Sequence, residues 1–420
     1  MNPTSLLRGF DDELQTYFEK EIERQNSSLS FIPDENSTSP LCAAIMGSVL
    51  INALTSPSLN RAEHLESITQ RRLCELFGAE HANIKTLNIE AASRVVFHAL
   101  TQRGDVVMSL DMRKREHCNS PDLSFRFVNF GVDPITQTLD LDALERQAVQ
   151  CKPNLIILSP VNYPLNIDYE RIFKIARNVG ALVWCDMSQT AGLVAGGAAI
   201  TSPVPYADVV TFRAHGAMQG PQSCVILCRK EYAAALDREM YVSGHKGLLT
   251  AQLAALSARV REMQDQTYRD YIKQVVDNAR ALAEGLKRGG LNLICGGTDS
   301  HLVMIQTGGI SARGAQELLS DSGIQVRICD MLTSNPLVKY EAVRFSSLPA
   351  TTRGVSTAQM GDLGESIARY LKNPDDANAR GLQELVALIT GGLPVFSQRW
   401  INKALLDNLP STAWQVHPLS

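Results

Sequence analysis

Asp186 closes the apolar run Leu182-Val183-Trp184-Cys185, and His215-Gly216 follows the apolar run Ala207–Phe212 with Arg213 and Ala214 between. Polar side chains at the ends of buried strands are where an α/β protein holds a ligand. Arg344, inside the apolar stretch Ala342–Ser346, carries a guanidinium fork suited to a planar anion. His117, in Arg115-Glu116-His117, adds a second imidazole, and Glu90, in Asn88-Ile89-Glu90, a carboxylate. Each has a structural reading beside the functional one. Asp186 can cap a loop, and His117 and His215 can be satisfied loop histidines. An inward Arg344 without an anion needs an internal carboxylate, for which Glu90 or Asp186 would serve. Cys118 and Cys185 adjoin His117 and Asp186 in sequence, but chain neighbours point apart, so both read as ordinary buried thiols.

The elements that must position these residues follow from periodicity. Val106–Met108, Leu155–Leu158, Ala181–Trp184 and Ser223–Leu227 read as strands buried on both faces. Ile172, Ile175, Ala176 and Val179 recur at helical spacing after Asp168, an N-cap. Strands alternating with such helices imply a mostly parallel sheet covered on both sides. The divisions expected are a helical arm over 1–55, a large α/β domain over 56–270 and a small α+β domain over 271–372. A linker and tail follow over 373–420, with Asn373–Asn378 as linker by composition and a helix over Leu382–Ile389. Strands are expected in the small domain at His301–Thr307, Ile324–Cys329 and Ala342–Ser346. Trp184 reads as core, while Trp400 and Trp414 in the tail pack on the body by default.

A net charge of -4 provides no basic stripe for nucleic acid and no polybasic membrane anchor. No apolar run reaches membrane-spanning length. The nine cysteines stand singly, with no CxxC pair, and read as reduced thiols in a cytoplasmic protein.

Ordered blocks across residues 20 to 372 carry a resemblance. They include Glu35-Asn36-Ser37-Thr38-Ser39-Pro40, Glu75-Leu76-Phe77-Gly78-Ala79-Glu80, Ser202–Thr211, Gly296–Leu302 and Thr351-Thr352-Arg353-Gly354. By these the chain resembles the serine hydroxymethyltransferases. The resemblance implies an α/β, aspartate-aminotransferase-like fold (pyridoxal-phosphate fold type I), with a mostly parallel large domain and a smaller α+β C-terminal domain. It also implies a homodimer with active sites at the subunit interface. The family's pyridine-nitrogen aspartate matches Asp186, its ring-stacking histidine His117, the histidine before its lysine His215, and its substrate-carboxylate arginine Arg344.

Other positions depart from the pattern. The Schiff-base lysine is Gly216, and the phosphate-holding Ser-Gly-Ser is Asn88-Ile89-Glu90. The catalytic glutamate falls at Ser56, and a family histidine is Gln189. A carboxylate about 4 Å from a phosphate charge, at an effective dielectric near 20, costs about 4 kcal/mol per charge pair. Lys246 aligns with a loop that reaches the partner subunit's phosphate, and its alternative is a solvated surface lysine. The expectation is a relative that has lost Schiff-base chemistry and serves as a binding or assembly component for a protein partner. The alternative is a divergent enzyme acting on a small amino or carboxy acid, with pyridoxal or pyridoxamine phosphate held without a covalent bond.

Overall fold

The computed structural model describes residues 6–52, 61–110, 125–244, 249–307, 309–332 and 340–408. His117, Cys118, Ser56, Lys246 and Trp414 lie outside the described residues. Along the chain the strands are β1 Leu29–Ser30, β2 His81–Thr86, β3 Val106–Ser109, β4 Arg126–Asn129, β5 Leu155–Leu158, β6 Leu182–Asp186, β7 Val209–Arg213 and β8 Cys224–Cys228. The second half adds β9 Asn292–Leu293, β10 Leu302–Gln306, β11 Ile324–Gln325, β12 Arg327–Asp330 and β13 Glu341–Ser346.

One sheet runs in the order β2-β8-β7-β6-β5-β3-β4. Its pairings are parallel except the two that β8 makes, with β7 and β2. β8 is reversed because only residues 214–223 link it to β7, too few for a crossover helix. The strands read as doubly buried are so: all four side chains of β5 are buried. Alternation splits the sheet between two apolar layers. Ile156, Leu158, Val183 and Cys185 face one, and Leu155, Ile157 and Trp184 the other. Trp184 Nε1 donates to Thr211 Oγ1 at 3.0 Å, so the indole is satisfied inside the core. The helix Tyr169–Val179 begins where Asp168 accepts from the Arg171 amide at 2.9 Å and ends at Gly180 in the left-handed region.

A second, antiparallel sheet runs β12-β13-β10-β9. The stretch expected as one strand, Ile324–Cys329, is two. β11 pairs in parallel with β1 from the arm, and β12 pairs with β13. The 23-residue helix Gln266–Arg288 buries Tyr268, Tyr271, Ile272, Val275 and Val276 in the large core. Its later turns put Ala279, Leu282 and Leu286 into the smaller one.

Of the segment Asn373–Asn378, read as a linker, Asn373–Asp375 connect the helix Thr357–Lys372 to the next, and Asp376–Asn378 begin that next helix. Asp375 accepts from the Asn378 amide at 2.8 Å, and the helix runs Asp376–Gly392. It buries Leu382, Val386 and Ile389 against the small core. Trp400 packs as expected, its Nε1 donating to the Thr351 carbonyl at 2.7 Å and its ring 5.3 Å from Tyr271.

Candidate active-site cleft

The cleft is assembled at the carboxyl ends of β6 and β7. Asp186 ends β6, is 5% exposed, and its Oδ1 accepts from the Ser188 amide at 2.7 Å. Asp186 lies opposite Thr211 in the β6–β7 register, which places Arg213 and His215 just beyond the strand ends. The Arg213 amide donates to Ser188 Oγ at 3.1 Å, so the two strand-end turns are tied together.

Gly216 has φ of +66°, a conformation that disfavours any residue with a Cβ. Its carbonyl accepts from Asn36 Nδ2 at 3.1 Å. Asn36 also donates to Tyr271 Oη and accepts from Thr352 Oγ1, which in turn accepts from Gln219. Arg259 completes the chain, donating to Gln219 Oε1, the Met218 carbonyl and Glu262. From the far side, Gly192 lets the helix Ala191–Ala195 touch the loop. A Cβ there would sit 2.1 Å from the Ala217 carbonyl oxygen. The loop that carries His215 and Gly216 is therefore fixed by satisfied buried polar groups and close backbone contact.

His215 Nδ1 is buried without a hydrogen-bond partner among the described residues. Burial first, and then the Arg213 charge, lower its pKa, so the ring is neutral at pH 7.

Arg344 sits in β13, 2% exposed. Its Nη1 donates to the Val161 carbonyl at 2.7 Å and to Asn162 Oδ1 at 2.8 Å. The expectation that Glu90 or Asp186 neutralises it does not hold. Its partner is Asp34, whose Oδ2 lies 3.2 Å from Nη2. Asp34 Oδ1 accepts from Arg213 Nη2 at 2.9 Å and from Gln189 Nε2 at 3.0 Å. Burial opposes ionisation of Asp34, but the guanidiniums of Arg344 and Arg213 outweigh it and hold the carboxyl below its usual range. Behind Gln189 stands His301, fully buried, with Nδ1 2.8 Å from Ser346 Oγ and Nε2 2.8 Å from the Gln189 carbonyl.

Asn88, Ile89 and Glu90 form the start of the helix Ile89–Leu100. Asn88 caps it, accepting from the Ala91 amide at 2.8 Å, Ile89 is buried, and Glu90 is exposed in the first turn. An acidic residue there complements the helix dipole, which accounts for Glu90 without any ligand. The structure thus gathers Asp186, His215, Gly216 and Arg344 at or beside the strand ends. It adds Asp34, Arg213 and His301, which the sequence reading did not place there, and Gln189, which that reading named only as standing where the family has a histidine. The one available sign of Asp34 was an acidic side chain after Pro33, beside the matched block that starts at Glu35.

Among the described residues no group of three or more His, Cys, Asp or Glu is arranged to hold a metal ion. None of the described helices is long and apolar enough to cross a membrane. A cavity of ≈ 520 Å³ adjoins the cleft, sharing Asp34, His215 and Gly216 with it and lined further by Asn36, Pro349 and Arg353.

A largely parallel seven-stranded sheet, a smaller α+β lobe and a cleft at the strand ends define the class, the aspartate-aminotransferase-like fold of pyridoxal-phosphate fold type I. The sequence profile described as "Serine hydroxymethyltransferase" matches residues 7–367. The chain is 34% identical over 384 residues to "Serine hydroxymethyltransferase" of Acidobacterium capsulatum, covering 87% of this chain and 90% of that one. It is 32% identical over 411 residues to the protein of the same name from Koribacter versatilis, covering 94% and 96%. The chain belongs to the serine hydroxymethyltransferase family.

Proposed function

We propose that this protein is a serine hydroxymethyltransferase relative without Schiff-base chemistry, a non-catalytic binding or assembly component that works as a homodimer. Members of the family normally bind pyridoxal phosphate. The observation that carries the reading is Gly216. The position matched to the family's lysine has no side chain, and its φ of +66° disfavours one. A Cβ there meets only ordinary contacts, the nearest being the Asp34 carbonyl oxygen at 3.5 Å, so no steric clash keeps a larger residue out.

Two further features support it. The helix end matched to the phosphate loop presents Glu90, and Asn88 already takes the Ala91 amide. Arg213 reaches from the end of β7 to Asp34, so a guanidinium bridges the strand ends and the Arg344 side of the cleft. These residues do not fit the covalent anchorage and phosphate grip of the family's cofactor.

The test is to add pyridoxal phosphate to the purified protein. We expect no visible absorbance band of a lysine-linked cofactor, and no turnover of serine with tetrahydrofolate. Either signal would overturn the reading.

A further inference from the structure

We infer that Asp34 is a built-in occupant of a carboxylate site made by Arg344 and Arg213, and that it closes the cleft to free monocarboxylates. This deepens the reading of the cleft as the family's old ligand site, but does not depend on the loss of catalysis. Asp34 Oδ2 meets Arg344 Nη2 and Oδ1 meets Arg213 Nη2, with Gln189 Nε2 as a third donor. One carboxylate therefore has the donor set that a bound acid would need.

The fit to Arg344 is incomplete, and the gap is informative. Nη1 is spent on Val161 and Asn162, so the Nε–Nη2 edge is the one left to grip an anion in two-point fashion. Asp34 covers only Nη2 of that edge, and Arg344 Nε is buried with no partner among the described residues. A free carboxylate in place of the Asp34 side chain can satisfy both atoms.

Asp34 cannot readily move away. The Phe31 carbonyl accepts from the Ser346 amide at 2.8 Å, two residues from Arg344, and Asn36 is bonded to the Gly216 carbonyl. The segment is pinned on both sides of Asp34, which presents its carboxylate at the effective concentration of a tethered ligand. Removing it leaves Arg344 and Arg213 without their shared counter-ion. Arg327, opposite Arg344 in the β12–β13 register, adds to the unbalanced positive charge.

The experiment uses the full chain, with acetate and glycine as probes in calorimetric titration at pH 7. We expect Asp34→Ser and Asp34→Ala, which vacate the space of the Asp34 carboxylate, to bind acetate and glycine at least ~100-fold more tightly than the wild type. Adding Arg344→Lys to either should abolish the gain. The inference is overturned if both folded variants bind carboxylates no better than wild type, or if the wild type already binds as they do. If a variant folds poorly, its refolding yield is measured against acetate concentration. A yield that rises with acetate supports the site, and an indifferent one overturns it. No cofactor is present, so failure here is distinct from the appearance of a cofactor band.

Discussion

His301 is a neutral imidazole holding the turn that carries Gln189, and through it the Asp34 carboxylate. Burial lowers its pKa to about 4, against 6.5 for an ordinary histidine. Its folded form thus resists a proton that the unfolded chain accepts. The stability tied to it is fully present above about pH 6.5 and is lost as the pH falls toward 4. The difference is worth up to about 3 kcal/mol. Urea midpoints at pH 7.5 and pH 5 should therefore fall steeply for the wild type and less for His301→Gln. Equal pH dependence in the two proteins would sink the assignment. Asp34 has the same sense at lower pH: its lowered pKa contributes stability above its unfolded value, lost only in more acidic solution. The two groups thus titrate in separate windows.

Among the elements, the loop after β7 matters most, because its backbone decides where His215 and Gly216 lie. It is held between the Asn36–Tyr271–Thr352–Gln219 network and the start of the helix Ala191–Ala195. Gly192 makes the second contact possible. Gly192→Ala forces its methyl group against the Ala217 backbone, where no flexible side chain can yield, and should cost about 2–3 kcal/mol. Chemical denaturation reads the loss directly. Gly381→Ala, at a glycine inside the helix Asp376–Gly392 that like Gly192 lacks a positive φ but has open space around its Cβ, gives the backbone effect without the clash. If the two variants are equally stable, close packing is not what fixes the loop.

At the scale of the molecule, apolar side chains remain uncovered in the single chain. Val49 is 81% exposed and Ile51 61%, on the turn Val49–Asn52 that packs beside the helix Thr250–Glu262. Leu249, at the N-cap of that helix, is 58% exposed. Neighbouring exposed aliphatics of this kind suit burial against a second copy. Sedimentation should give twice the 46.0 kDa chain mass, and Val49→Asp with Ile51→Asp should shift the protein toward monomer. A wild-type monomer at micromolar concentration would remove the homodimer from the proposal.

The local elements were legible in the chain by itself. Doubly apolar runs marked β3, β5, β6 and β8, and Asp168 with Gly180 bounded a helix, because strand burial and capping depend on residues a few positions apart. The same economy blurred Asn373–Asn378, of which Asn373–Asp375 link two helices while Asp376–Asn378 already form the first turn of the second. The family, the glycine at 216 and the acidic residue at 90 were likewise written in the sequence. Which carboxylate neutralises Arg344 was not. Asp34 stands 310 positions away and meets it only because β1 joins β11 and Phe31 bonds to Ser346. Ion pairs form by distance in space, and no periodicity or spacing along a chain encodes that distance.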